Sequence, residues 1–584
     1  MLNIFDRYAE RSNAPSAEYI FGSIKNETTP GSNDGTPLDK DWLNDQVGFD
    51  AALAAATAYT PSNNPDTALN SDRLNMINLL IGQKGNQRLT FQEAKNIPFS
   101  GIVLNTYVQI TDRDNVVFKI RASGLAINNV TSLALTNSVD FILTMISEPV
   151  MSGYMFGVNK NSDLPSNAEK FTIMMDRAKS EGVSCIFDNS SYLFDDTLNI
   201  LKGVHVNFNS STVTFDIPNT TKLQSGFQMG SESSLKNIGY LNYKVGNSLG
   251  YDELGIIKIG DYNLDDSRSN SASNDLIEVE NVRIENIKAF FVDAETLDKS
   301  PGSIVCVTGS TNISIENIYV DGETYGIIND NIRTFTSAIK IQTAAKTAGN
   351  AYRQSKNVKV NNIFCSKISP KSNYSGEYAI DIGRGSANID INNVYGKDCG
   401  GLVNGDLSND NGSNLDWGTS FGVNISNIYG KNIRGVNAYA LGPQDSGVRI
   451  SLSRSTSVNS GQETFSLKNV YLVAGSVIGA NDYRPSSYGV YVSSSESNEI
   501  NFGSNVDNIH TEGFHTGALF NAIGINVSNV FSFNNLGNGM TIYSRRSTFT
   551  NLHSEKNGTD LTKTTRQRAG YNIGPRGCVF NKLE

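Results

Sequence analysis

Carboxylates concentrate between positions 377 and 416, where Glu377, Asp381, Asp398, Asp406, Asp410 and Asp416 alternate with glycine, serine and asparagine. Cleaving a glycosidic bond by water takes two such groups. One is an acid for the leaving oxygen, the other a carboxylate that activates water or attacks the sugar. Asp381 with Asp406 is the leading pair, and Asp416 is the reserve. Trp417, next to Asp416, offers an apolar ring as a platform. A competing chemistry is proton abstraction beside a uronate carboxylate, which needs a Lys, Tyr or Arg base and a cation. Lys340, Arg384, Tyr439 and Tyr491 are of those types. Each carboxylate also has a plainer use: loop aspartates solvate turns, and Asp381 facing Lys340 is an ordinary surface ion pair.

A recurring phrase supplies the frame for these residues. An apolar residue, any residue, an apolar residue, a polar residue and Asn-Ile/Val/Leu return as VRIENI (Val282–Ile287), ISIENI (Ile313–Ile318), VKVNNI (Val358–Ile363), IDINNV (Ile389–Val394), VNISNI (Val423–Ile428), FSLKNV (Phe465–Val470) and INVSNV (Ile525–Val530). SNVDNI (Ser504–Ile509) and STFTNL (Ser547–Leu552) follow it loosely. The shared asparagines, Asn286, Asn317, Asn362, Asn393, Asn427, Asn469, Asn508, Asn529 and Asn551, lie 21 to 45 residues apart. Alternating apolar residues make strands, and one strand-plus-turn per period is a solenoid. The expected fold is all-β, a right-handed parallel β-helix with an asparagine ladder at one turn.

Short strands just upstream of the phrase, AIKI (Ala338–Ile341), AIDI (Ala379–Ile382), LVNG (Leu402–Gly405), AYAL (Ala438–Leu441), GVYV (Gly489–Val492) and ALFN (Ala518–Asn521), read as one sheet. Their inward residues are aliphatic, which turns Lys340, Asp381, Asn404, Tyr439, Tyr491 and Phe520 outward in a column, with coils about 4.8 Å apart. Such a column, with Glu377, Arg384 and Trp417 on adjoining loops, suits a sugar-binding track.

Composition narrows the classes. The 584 residues are 38% hydrophobic and 18% charged, with a formal net charge of −10, which disfavours nucleic acid and anionic membrane as partners. Five scattered cysteines (Cys185, Cys306, Cys365, Cys399, Cys578) lack metal spacing and read as reduced and mostly buried. Neither they nor His205, His510, His515 and His553 form a metal set, and no cofactor motif occurs. No basic region followed by an apolar run opens the chain, and no long apolar segment follows, so neither export by a classical signal nor membrane insertion is expected.

Two stretches carry a family likeness. GTPLDKDWLNDQVGFDAALAAATAYTPSNNPDTALNSDRL (Gly35–Leu74) resembles the virion-attachment segment of bacteriophage tail fibres and tailspikes, through Gly35–Pro37, Trp42, Asn44–Asp45, Gly48–Phe49 and Pro61–Ala68. Helical character is expected from Asp45 to Ala58 and from about Asp66 to Ile81. Asn167–Asp216, with Phe171, Met174, Met175 and Ala178 at helical spacing, resembles the opening of the pectate-lyase-type β-helix superfamily, where a helix covers the first coil.

The resemblance implies a tailspike of the virion tail that degrades capsule or O-antigen polysaccharide; the alternative is a non-enzymatic receptor-binding tail fibre that holds host glycan without cutting it. It also implies docking to a phage tail or baseplate protein through 1–87, and a parallel homotrimer. A site between subunits would draw on Asp445, Arg449, Glu463 or Glu512. The expected organisation is 1–87 attachment region, 88–160 β-rich neck, 161–560 β-helix and 561–584 short C-terminal cap. Calcium-binding aspartate clusters of pectate lyases and the Asn-Thr-Asp and Arg-Ile-Lys phrases of polygalacturonases are not found, which disfavours a plain pectin enzyme.

Overall fold

A computed structural model describes short stretches within 10–97, most of 107–158 and, from 167 to 584, the strands and tight turns of each coil. The main segments outside the described residues are 1–9, 14–22, 34–48, 56–59, 61–71, 78–86, 98–106, 123–129, 146–149 and 159–166. Among the coils they are 218–224, 245–254, 261–278, 291–302, 322–336, 346–351, 367–377, 384, 408–419, 436–445, 453–463, 476–483, 486–487, 495–502, 559–569 and 575–576. Two compact units result, Met1–Ile146 and Ser147–Glu584.

In the first unit, residues 49–55 and 72–77 are helical, within the two stretches expected to be so. Arg73 clamps Asp50 through Nε and Nη2 at 2.7 and 2.6 Å. Strands Gln87–Leu89, Tyr107–Ile110, Val116–Ala122, Ser138–Met145 and Ser132–Leu135 form one sheet in that spatial order. A short helix, Phe91–Lys95, was not anticipated. Its start is fixed by a capping box, with Thr90 accepting from Glu93 N–H while Glu93 accepts from Thr90 N–H.

The second unit is a parallel β-helix. Each coil gives one strand to a long-strand sheet and one to a short-strand sheet, and neighbouring coils pair in parallel throughout. Parallel crossovers of this kind turn right-handed because strands of L-residues twist that way.

The long strands show why the asparagine phrase is needed. In Lys356–Ser366 the inward residues are Val358 and Val360, then Ile363 and Cys365, so the two-residue period slips by one at Asn361–Asn362. Asn362 makes that corner with φ of 58°, a left-handed conformation that asparagine tolerates better than other side chains. All nine expected asparagines adopt positive φ. Their amides bond rung to rung: Asn317 to Asn286 at 2.9 Å, Asn362 to Asn317 at 3.0 Å, Asn393 to Asn362 at 3.0 Å, and Asn508 to Asn469 at 2.9 Å. Asn529 instead donates to Asp507. The ladder is structural.

A second, shorter ladder runs through Asn281, Asn312, Asn357 and Asn388. It ends at Gly422, also at positive φ, where a Cβ would lie 2.7 Å from Asn388 Oδ1.

The open N-terminal end is closed by the helix Asn167–Glu181, whose Phe171, Met174, Met175 and Ala178 are buried as expected. Beneath it the first coils are packed with rings, among them Phe187 against Phe208 at 4.3 Å and Phe215 against Phe227 at 5.0 Å. Burying each such ring contributes about 2–3 kcal/mol. At the other end, Tyr571–Ile573 and Val579–Leu583 add final rungs to the two sheets. No disulfide joins the cysteines, four of which are buried and Cys578 half-buried. Among the described residues no helix is long and apolar enough to cross a membrane.

Candidate functional site

The short strands are placed by aliphatic residues that point into the coil. Ile339 and Ile341 sit above Ile380 and Ile382, and these above Val403 and Gly405. The residue between each pair therefore faces outward, as alternation requires. Register gives the outward column in order: Lys340, Asp381, Asn404, Arg449, Tyr491, Leu519, Thr541. Two sequence expectations fail here. Phe520 points inward and is fully buried, and Leu519 holds its place in the column. In the rung expected from Ala438–Leu441 the strand is Ser446–Leu452, so Arg449 occupies the position assigned to Tyr439. The first is a slip of one residue, which alternation alone leaves open in a short strand; the second places the strand itself about ten residues too early.

The middle of the column is bonded along the coil axis. Asn404 donates its amide to Asp381 Oδ1 at 2.7 Å and accepts from Arg449 Nη1 at 3.1 Å on its carbonyl. The two partners fix the orientation of the Asn404 side chain, donor toward carboxylate and acceptor toward guanidinium. Asn404 is 9% exposed, while Asp381 and Arg449 are half-buried on either side. Arg449 Nε is shielded from solvent and finds no partner among the described residues. Asp381 is thus held by Asn404.

Asp406 ends the strand of Asn404 and also faces outward, half-buried. It lies one coil on and two residues along from Asp381's level, which by strand rise and spacing separates the two Cα atoms by about 8 Å. Beyond Arg449 the column continues with Tyr491, and further tyrosines lie around it. Tyr491 and Tyr488 have ring centroids 5.2 Å apart, and Asn572 donates to the Tyr543 hydroxyl at 2.9 Å. Burial raises the Tyr488 phenol above its ordinary range, with Tyr491 and Tyr543 adding to the shift.

Of the residues singled out from sequence, the structure brings together Lys340, Asp381, Asn404, Tyr491 and Arg449, and sets Asp406 beside them. Glu512 lies on the long-strand sheet and accepts from Asn534. Glu377, Arg384, Asp410, Asp416, Trp417, Tyr439, Asp445 and Glu463 lie outside the described residues. Among the described residues no group of His, Cys, Asp and Glu has the arrangement of a metal site.

One feature of the surface was missed. On the long-strand sheet a second outward row runs Tyr319, Phe364, Tyr395, Tyr429, Tyr471, His510, Phe531, His553, each directly over the last. Phe364, Tyr395 and Tyr429 stack at 5.0 and 5.2 Å, and Tyr471 stacks on His510 at 4.5 Å. The five rings from Tyr319 to Tyr471 are 38% to 45% exposed. The signal was in the recurring phrase itself. Asn-aliphatic is followed by Tyr, Phe or His in eight coils, from NIY at Asn317–Tyr319 to NLH at Asn551–His553.

No protein-family model and no curated protein matches the chain. Solved structures do. The catalytic domain of a GH87 alpha-1,3-glucanase in complex with nigerose aligns at 10% identity and a TM-score of 0.36, over 77% of this chain and 74% of that one. The enzymatically active domain of bacteriophage CBA120 tailspike protein 2 aligns at 10% identity and 0.34, over 88% and 64%. A tailspike protein from Acinetobacter baumannii bacteriophage Fri1, a capsular polysaccharide depolymerase, aligns at 9% and 0.30, over 85% and 75%. The chain is similar to these in its coiled architecture, and no residue correspondence is drawn from them.

Proposed function

We propose that this chain is a bacteriophage tailspike whose β-helix binds and degrades a bacterial surface polysaccharide, capsule or O-antigen. The observation that carries the catalytic part is the bonded row Asp381–Asn404–Arg449 on an outward sheet face, with Asp406 on the diagonal. Asn404 occupies one Asp381 oxygen and orients the other toward incoming water or sugar. Arg449 holds Asn404 in that sense through Nη1, while its Nε is buried behind the face.

With Cα atoms about 8 Å apart on rigid strands, the two carboxylates can flank one glycosidic bond, and we assign them the two roles of hydrolysis. Asp381 takes the proton of the attacking water, and Asp406 protonates the leaving glycosidic oxygen. Asp416, with Trp417 beside it, is the alternative acid. Lys340 and Tyr491 flank the row and bind hydroxyls and sugar faces, and Glu377 and Arg384 are assigned to the same substrate.

A second reading follows from the same rungs. Tyr491 as base and Arg449 as the cation beside a uronate carboxylate make the set that β-elimination requires. The attachment role of 1–87, the partnership with a phage tail or baseplate protein and the parallel homotrimer rest on the Gly35–Leu74 likeness. Incubation with host-strain polysaccharide separates the chemistries. Hydrolysis yields reducing ends without new ultraviolet absorbance, whereas elimination yields unsaturated uronates that absorb. Unchanged polymer after prolonged exposure to its true receptor would contradict both.

A further inference from the structure

We propose that the aromatic row on the long-strand sheet, with Lys397 and Lys431 beside it, is a second binding track, for an acidic polysaccharide. It is separate from the Asp381–Asn404–Arg449 face, which lies on the other sheet. The row walls a groove of about 660 Å³, and the same groove is lined by Lys397 and Lys431.

Three observations identify the occupant. The first is charge. Lys397 and Lys431 are directly paired neighbours on adjacent rungs, so their backbones lie about 4.8 Å apart. Like charges so placed repel one another. Both side chains are exposed, and neither has an ion pair or hydrogen bond among the described residues. In a chain with a net charge of −10 two adjacent uncompensated ammonium groups suit an anion held between them.

The second is shape and surface. Directly stacked rings repeat once per coil and keep their edges and the hydroxyls of Tyr395 and Tyr429 at the surface. Rings stacked along the coil cover one another's faces, so they offer a sugar a row of apolar edges, with phenol hydroxyls to bond its oxygens. A track with one ring per coil matches an extended chain of sugars better than a compact ligand.

The third is where the positive charge sits. In the row that contains the two lysines, register places Asp321 on one side, beyond Ser366, and Glu512 on the other, beyond Val473. Within that row the positive charge is confined to the middle, which favours a polymer whose acidic group falls there over a uniformly anionic surface. A second copy of this chain is the other candidate for an exposed ring row. A stable interface buries about 800 Å² per partner with charge depleted at its centre, and here lysines flank the rings.

Cleavage is not assumed, so the test reads binding alone. The full chain is titrated by calorimetry with oligomers of polygalacturonate, alginate and hyaluronate, with dextran as the neutral control. The expected result is binding of at least one acidic oligomer and none of dextran, weakening as salt is raised. Lys397→Gln with Lys431→Gln weakens it about tenfold, as does Tyr395→Ala with Tyr429→Ala. Lys202→Gln, which removes an exposed lysine elsewhere on the coil, leaves it unchanged, which separates this track from a general effect of charge. The surface Lys→Gln pair keeps the test valid should the ring deletions disturb the fold.

Failure of all three acidic oligomers to bind at millimolar concentration overturns the proposal, as does binding that survives both double variants. Sedimentation showing that Tyr395→Ala with Tyr429→Ala dissociates an oligomer also overturns it, and assigns the row to contact between copies.

Discussion

Replacing Asn362 separates what its side chain contributes from what its backbone requires. Its amide donates to Asn317 at 3.0 Å and its carbonyl accepts from Asn393 at 3.0 Å, so any apolar residue loses two ladder bonds. At about 0.5–1.5 kcal/mol each, that is roughly 1–3 kcal/mol. Alanine must also hold φ near 58°, which adds about 1–2 kcal/mol. Asn362→Ala therefore costs roughly 2–5 kcal/mol in all. Glycine adopts that φ freely but loses about 0.5–1 kcal/mol to chain entropy, so Asn362→Gly is the milder by roughly 1 kcal/mol. Asn362→Asp falls between them, since it keeps the acceptor for Asn393 but turns a carboxylate on the Asn317 carbonyl. Stability is read from denaturant unfolding of the full chain, or from unfolding rates should refolding fail. Equal losses for alanine and glycine, or a loss below about 0.5 kcal/mol for both, would refute the ladder as a stabilising device.

Further expectations concern other parts of the coil. Gly396→Ala puts a Cβ 2.0 Å from Leu402 Cδ2 and costs about 1–3 kcal/mol by overpacking, visible as a lower melting temperature; a neutral result would mean the coil wall yields there. Burial lowers the His510 imidazole pKa below its usual 6.5, against the opposing pull of Glu512. Its native form thus binds fewer protons than the unfolded chain. That contribution to stability is complete above pH 6.5 and is lost as pH falls through the depressed folded value. His510→Phe, which keeps a ring on Tyr471, removes this part of the slope in melts between pH 7 and 5, and an unchanged slope would exclude His510 as its source. Asn404→Leu leaves Asp381 and Arg449 unbridged, and product release from polysaccharide drops about tenfold or more while the secondary structure by circular dichroism is retained. Wild-type turnover in that variant would remove Asn404 from the site.

Much of the solenoid was legible because its repeat is dictated by geometry that few residues satisfy. A corner at positive φ inside a strand admits asparagine or glycine, and stacking like on like forces the choice in every coil. The same constraint exposed the helix over the first coil, whose Phe171, Met174, Met175 and Ala178 had to cover open core. The short strands were less readable. Ala438–Leu441 and Ser446–Leu452 both alternate, and only pairing across coils shows that Arg449 belongs in the column. Phe520 was placed outward although its size suits the core, where it packs against Phe549 at 6.0 Å. The Asn404 bridge depends on side chains meeting across coils 23 and 45 residues apart in sequence. The ring row, by contrast, stands in the recurring phrase itself, two residues after eight of the nine asparagines.

The most direct test of the central claim is polysaccharide from the host strain incubated with the wild-type chain and with Asp381→Asn, the products being sized by gel filtration and assayed for reducing ends. Wild type is expected to shorten the polymer to oligosaccharides with new reducing ends and no ultraviolet rise, and Asp381→Asn to be slower by about a hundredfold or more while still binding it. Equal cleavage by the two proteins would contradict the assignment of Asp381 as the catalytic carboxylate of this β-helix.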